Sequence, residues 1–244
     1  MTVLSEGGNA TEGVVFDLFH TLVDPEEFRP KEFRRAEVVA GILGLDAPEF
    51  LVFWEGTQNQ RMTAPKREIE YVREFSQRVG VTASNAQLEQ AEEALGRYQD
   101  LAILNPRKEV VLSVAALAEE GYRLGLLSNT FERDVRKWSL SPLARYFSAT
   151  AFSHEIGVVK PDSAAYQAIL SRLSLRPSHC AYVGDGGGHE LLGAKTAGFR
   201  KTVFMNMFIA SNGLRTKEEL QEIEREADEM ADSFQDLLRL IRAK

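Results

Sequence analysis

The chain has 244 residues, 44% of them hydrophobic and 27% charged, with a formal net charge of −7. That balance suits a globular protein and disfavours a partner built on a phosphate backbone, although one local cation or metal still admits a small anion. Cys180 is the only cysteine, so an intramolecular disulfide is excluded, and its apolar neighbours mark it as a buried side chain.

Residues 1–13 are polar and Gly-bearing, with neither the apolar core of a signal peptide nor a basic amphipathic pattern. A frayed N-terminus and a cytoplasmic location are the expectation. No run approaches the ~20 apolar residues of a membrane span, so no membrane partner is expected.

The first strand is Val14-Val15-Phe16, apolar throughout, as a central parallel strand buried on both faces requires. Asp17 follows at its C-terminal end, where open α/β sheets place ligands. A carboxylate there suits a nucleophile, a metal ligand, or both. The chain then turns through His20 and Thr21. Leu22-Val23 begins a second short strand, broken by Asp24-Pro25.

Residues 26–104 are dominated by helical periodicity. Phe33, Val38, Ile42 and Leu45 mark one helix, ended near Gly44. Pro48 starts a second, carrying Phe50, Phe53 and Trp54. Residues 66–79 form a third, with Ile69, Val72, Phe75 and Val79 at spacings of three and four. Ser84 or Asn85 caps a fourth, which runs to Leu104 and is closed by Asn105-Pro106.

Strand–helix alternation begins after Pro106. A helix over 110–118 leads to a strand over 123–127 that ends in Ser128-Asn129-Thr130. A helix is expected from about Glu132, a strand over 148–152, a loop over 154–160 and a helix over 161–173. The strand over 180–183 ends in Gly184-Asp185 and runs into Gly186-Gly187-Gly188. A helix over 190–197 and a strand over 201–205 follow. A polar helix over 216–228 has a solvated face, and Ser233 caps a last helix with Phe234, Leu237, Leu238 and Ile241 buried. Alternation with short loops implies a doubly wound parallel sheet. The strand ends carrying Asp17, Ser128 and Asp185 then share one edge.

The ordered set Asp17-x-x-x-Thr21-Leu22, Ser128-Asn129, Lys160-Pro161 and Gly184-Asp185-x-x-x-x-Glu190-x-x-Gly193-Ala194 resembles the four motifs of the haloacid dehalogenase superfamily of hydrolases. The motifs and their flanking strands and helices span residues 14–198. The resemblance implies an α/β fold: a Rossmann-like core over 1–25 and 105–244, with an all-helical cap over 26–104 inserted after the first motif. It implies a phosphatase in which Asp17 attacks phosphorus and forms an aspartyl-phosphate. Mg2+ would offset the like charges, held by Asp17, Asp185, the backbone carbonyl of Phe19, and Glu190 directly or through water. Lys160 would offset charge on nucleophile and phosphoryl group. Ser128 would hydrogen-bond a phosphoryl oxygen, with Asn129 beside it, and Thr21 would orient Asp17. The implied partner is a small phosphorylated molecule.

Phe19 departs from the pattern. Family phosphatases carry a second Asp there, which protonates the leaving group and then activates water. Such help is worth ~10²–10⁴ in rate. Three readings stay open: a substrate with a good leaving group, such as an acyl phosphate; His20 as a stand-in, since it adjoins the loop and titrates near neutrality; or a reaction other than phosphate-ester hydrolysis. Dehalogenases of the superfamily hold an aromatic residue at this position and also carry Ser-Asn, but they work without metal, and Gly184-Asp185 argues against that reading. Phosphonate hydrolases use a cap lysine, and Lys31 and Lys66 read as surface lysines. A catalytically weak relative that binds a ligand or protein is the remaining alternative. The triple glycine could admit a metal-bound water or a phosphate. His154 and His189 read as loop residues near the site, and Phe28, Arg29, Arg34, Trp54 and Arg61 as cap residues near its mouth.

Overall fold

A computed structural model describes residues 11–243. The expected fraying of the N-terminus concerns mainly residues 1–10, which lie outside the described residues. The strands are β1 (Gly13–Phe16), β2 (Arg123–Ser128), β3 (Ala149–Phe152), β4 (Cys180–Gly184), β5 (Lys201–Met205) and β6 (Glu229–Ala231). They form one sheet in the order β3-β2-β1-β4-β5-β6, parallel throughout. Val15 lies opposite Gly125 of β2 on one side and Tyr182 of β4 on the other. The direction of winding reverses at β1, so the crevice between the ends of β1 and β4 is the sheet's switch point.

Alternation divides the strand side chains between two layers. Phe16, Leu126, Val183 and Val203 pack with α6 (Lys108–Glu119) and α12 (Phe234–Arg242). Val15, Leu127, Tyr182 and Phe204 pack with α8 (Ser163–Leu173) and α9 (Glu190–Thr196). Every residue of β1 is buried, as its unbroken apolar run requires.

Between β1 and α6 lie α1 (Arg35–Leu43), α2 (Ala47–Gly56), α3 (Gln58–Thr63), α4 (Glu68–Arg78) and α5 (Asn85–Leu104). They bury an apolar cluster of their own, built on Val39, Phe50, Val72 and Leu95. Gly44 ends α1 in the left-handed region at φ 69°, where a Cβ would be strained. A Ser84–Gln87 capping box starts α5. The far end of α5 crosses over, and Ala102 and Ile103 join the core cluster with Phe16.

Several elements differ from expectation. Residues 132–146 form three short 3₁₀ turns instead of a helix. Arg133 and Arg136 are both pulled toward α5, where Asp100 pairs with each, and Pro142 follows six residues later. Leu22-Val23 makes only an isolated bridge between Phe19 and Val23. The segment expected as a loop opens with one helical turn, α7 (Ser153–Ile156). Pro161 lies before α8, because the Asp162 carboxylate accepts the Ala164 N–H at 2.9 Å and caps the helix there. A short helix, α10 (Ile209–Asn212), follows β5. The polar helix α11 (Lys217–Glu226) stops early, and residues 229–231 add β6 to the sheet edge. That strand is too short and charged to announce itself. Its approach is held by Asp228, which accepts the Thr202 N–H and hydroxyl at 2.9 Å each.

Candidate active site

The C-terminal ends of β1, β2 and β4 bring Asp17, Ser128 and Asp185 to one edge, as the parallel topology requires. Asp17 continues β1 by one hydrogen bond, its N–H donating to Val183 O at 2.9 Å. The chain then leaves the sheet abruptly. Leu18 O accepts N–H groups from both Leu22 and Val23, and His20 adopts a left-handed φ of 61°. This tight turn carries Thr21 back under the carboxylate, where its hydroxyl donates to Asp17 Oδ2 at 3.2 Å.

Lys160 reaches the same carboxylate from the segment before α8. Its ammonium donates to Asp17 Oδ1 at 2.5 Å, to the Tyr182 hydroxyl at 2.9 Å, and to Glu190 Oε2. All four groups are buried. Asn129 positions Lys160 through its backbone, accepting Lys160 N–H at 2.7 Å and donating to Lys160 O at 2.9 Å. Its amide therefore holds the Lys160 backbone at both its N–H and its carbonyl.

Burial opposes a charge on Lys160, but the carboxylates of Asp17 and Glu190 outweigh it and hold the ammonium above the usual lysine range. Burial pushes the Asp17 carboxyl up; Lys160 pulls it down and Asp185 pushes it further up, and the net direction is upward. Glu190 is raised in the same way, chiefly by burial, with Lys160 opposing. Three buried carboxylates thus crowd one crevice, with Lys160 as the cation shared by Asp17 and Glu190.

Asp17, Asp185 and Glu190 each offer a carboxylate oxygen within 4.8 Å of the others. An all-oxygen set of this charge suits a hard divalent cation such as Mg2+. Glu190 is the least available of the three. Its Oε2 accepts from Lys160 and from the Tyr182 hydroxyl at 2.6 Å, and its Oε1 from Gly186 N–H at 3.0 Å. Asp185 is held by the Gly187 N–H at 3.2 Å and by Arg215 at 2.8 Å.

Ser128 is 2% exposed at the end of β2. Thr130, two residues on, is tied to α7, its N–H donating to Ser153 Oγ at 2.9 Å. Phe19 turns its ring against the core cluster of Phe16, so that position brings apolar surface and a backbone carbonyl but no acid. His20 Nδ1 lies 2.9 Å from Asp24 Oδ1, and Asn212 of α10 donates to Asp24 Oδ2 at 3.3 Å. Burial works against protonation of His20, but the Asp24 hydrogen bond and the charges of Asp185 and Asp17 raise its pKa above the ordinary value.

Other candidates are occupied elsewhere. Cys180 is buried in β4, its thiol pushed up to about 12 chiefly by burial. His189 pairs with Glu226 of α11, and His154 lies 3.4 Å from the Thr130 hydroxyl. Lys66 pairs with Glu74. Arg61 is buried, paired with Glu68, with its guanidinium 3.8 Å from the Trp54 ring centroid and 4.7 Å from that of Phe131. Arg29 pairs with Glu26, and Arg34 donates to backbone carbonyls. A cavity of 470 Å³ is lined by Asp24, Arg29, Lys31, Arg34 and Asn212 among others. It shares Asp24 with the His20 pair but is lined by none of Asp17, Ser128, Lys160 and Asp185.

Sequence reasoning missed Tyr182 and Arg215. A tyrosine in a fully buried strand must find a partner for its hydroxyl, which was a usable signal. Arg215 had none, being one basic residue in a polar stretch.

A family model described as haloacid dehalogenase-like hydrolase matches residues 11–198. A glyceraldehyde 3-phosphate phosphatase of Methanopyrus kandleri is 30% identical over 110 residues, 43% of this chain and 46% of that protein. The chain therefore spans less than half the length of this relative. A haloacid dehalogenase-type phosphatase from Thermococcus onnurineus superposes with a TM-score of 0.63 at 19% identity, over 96% of this chain and 99% of the other. An L-2-haloacid dehalogenase from Xanthobacter autotrophicus, with chloropropionic acid covalently bound, superposes with a TM-score of 0.57 at 17% identity, over 96% and 99%. At those identities the likeness is one of fold.

Proposed function

This chain belongs to the haloacid dehalogenase-like hydrolase family, and from that premise we propose that it is a Mg2+-assisted phosphatase acting on a small phosphorylated molecule through Asp17. The observation that carries this reading is the Asp17 carboxylate at the switch point, 2.5 Å from the Lys160 ammonium and clustered with Asp185. The likeness to the glyceraldehyde 3-phosphate phosphatase of Methanopyrus kandleri supports the substrate class.

Asp17 attacks phosphorus while the bond from phosphorus to the leaving oxygen breaks and its electron pair departs with that oxygen. Thr21 holds one oxygen of the nucleophile and Lys160 the other, which fixes the carboxylate plane before attack. Lys160 also offsets the negative charge brought together there, and the Ser128 hydroxyl donates to a phosphoryl oxygen. Bound by Asp17, Asp185 and the Phe19 carbonyl, with Glu190 nearby, Mg2+ would supply the remaining charge neutralisation. Glu190 and Tyr182 hold the Lys160 ammonium in place. Water then attacks phosphorus, the bond to Asp17 breaks, and the carboxylate is restored with release of phosphate.

Protonation of the leaving oxygen falls to His20, whose Nδ1 is held by Asp24 and whose pKa is raised by that carboxylate against the opposing effect of burial; the ring left neutral then takes the proton of the attacking water. A substrate with a good leaving group, such as an acyl phosphate, would need little of this help. The helical insertion over residues 26–104 acts as a cap that excludes water and selects substrate.

The aromatic Phe19 favours a second reading, metal-free hydrolysis of a carbon–halogen bond. A phosphate-ester and acyl-phosphate panel with and without Mg2+, run on the wild type and Phe19→Asp, separates the two. Mg2+-dependent phosphate release, with a gain on alkyl phosphates in Phe19→Asp, is expected. Halide release without metal, and no phosphate release, would reverse the choice.

A further inference from the structure

The triple glycine after Asp185 has a packing reason at two positions. Gly186 has a φ of 81°, and a Cβ there would lie 2.3 Å from Ile223 Cγ2 of α11. A Cβ on Gly187 would lie 3.0 Å from a terminal nitrogen of Arg215. Bare backbone at these positions lets α11 and the segment before it close down on the end of β4. The closure delivers Arg215, which donates to Asp185 Oδ2 at 2.8 Å. Arg215 Nε is buried without a partner among the described residues. The guanidinium side chain is 26% exposed, against 9% for the Asp185 side chain. Arg215 is therefore held by one ion pair and has a route to solvent.

A guanidinium and a divalent cation compete for the same carboxylate: they need the same lone pairs and repel each other at close range. We propose that Arg215 is a built-in competitor for the cation at Asp185, neutralising this carboxylate when no metal is bound and swinging outward when Mg2+ binds. The inference rests on the metal reading above and adds a residue that sets the affinity. The segment leading into the solvated helix α11 thereby carries a regulator of the site.

The test is a Mn2+ titration followed by electron paramagnetic resonance, with Mg2+ as competitor, on the full chain. Removing a positive charge beside the ligand in Arg215→Gln should lower the Mg2+ Kd about tenfold. Arg215→Lys keeps the charge and should stay within about twofold of wild type. On the wild type, Mg2+ should also speed modification of Arg215 by phenylglyoxal, read by mass spectrometry. An unchanged or weaker Mg2+ affinity in a folded Arg215→Gln, or modification indifferent to Mg2+, overturns the proposal while leaving the metal site standing. Absence of binding by wild type and Arg215→Gln alike overturns both the metal reading and this one.

Discussion

His20 lies outside the family pattern, and its surroundings pair it with Asp24. The left-handed backbone at His20 sets its ring against Asp24, and Asn212 holds the far oxygen of that carboxylate. Because the folded pKa of His20 lies above its ordinary 6.5, the pair stabilises the fold fully below about pH 6.5 and loses that contribution as pH rises through the folded value. The difference in melting temperature between wild type and His20→Gln should therefore be largest near pH 6 and shrink by pH 9. A difference that grows with pH would mean the ring is held neutral. The same variant reads the proposed proton transfer: its rate on alkyl phosphates should fall by ~10² or more while acyl phosphates are spared.

At the scale of elements, α9 shows why a small residue in the fourth motif matters. A Cβ on Gly193 would lie 2.6 Å from the Tyr166 hydroxyl, 2.7 Å from Pro161 Cβ and 3.0 Å from Pro161 O. Ala at an ordinary helix position would stabilise by about 1 kcal/mol relative to Gly. Here the backbone beside Lys160 must move instead, so Gly193→Ala should destabilise by about 1–3 kcal/mol in urea unfolding and lower activity by shifting Lys160. A gain in stability would show that α9 and the Pro161 segment pack more loosely than this. Strands β1, β2 and β4 were legible because buried apolar runs ending in Asp or Ser carry their own signal. The turns over 132–146 were not, because ion pairs to α5 set their course. Nor was the role of α11: its pattern of charges describes the exposed face, while Ile223 and the Gly186 backbone decide where it docks.

For the whole molecule, the question is how the helical insertion is joined to the sheet. Arg133, 1% exposed, reaches from the turn after β2 to Asp100 at 3.0 Å and to Glu92 O at 2.8 Å on α5. Arg136 binds the same Asp100 at 2.9 Å. Asp100→Ala leaves a buried guanidinium short of its charge partner and should cost about 3 kcal/mol, read by chemical denaturation. Loss of only a few tenths would mean that Glu93 takes over. The sequence marked residues 26–104 as an all-helical block but carried no sign of this clamp, because pairing between acids on one helix and arginines about forty residues later is invisible without the fold. Among the described residues no helix is long and apolar enough to cross a membrane. The central claim is that Asp17 is the nucleophile of a Mg2+-assisted phosphohydrolase, and the measurement that meets it most directly is phosphate release from acetyl phosphate by wild type and Asp17→Asn, with Mg2+ and with chelator. Release by wild type only with Mg2+, lost in a folded Asp17→Asn, is the result expected. Release that survives Asp17→Asn or is indifferent to chelator would contradict the account.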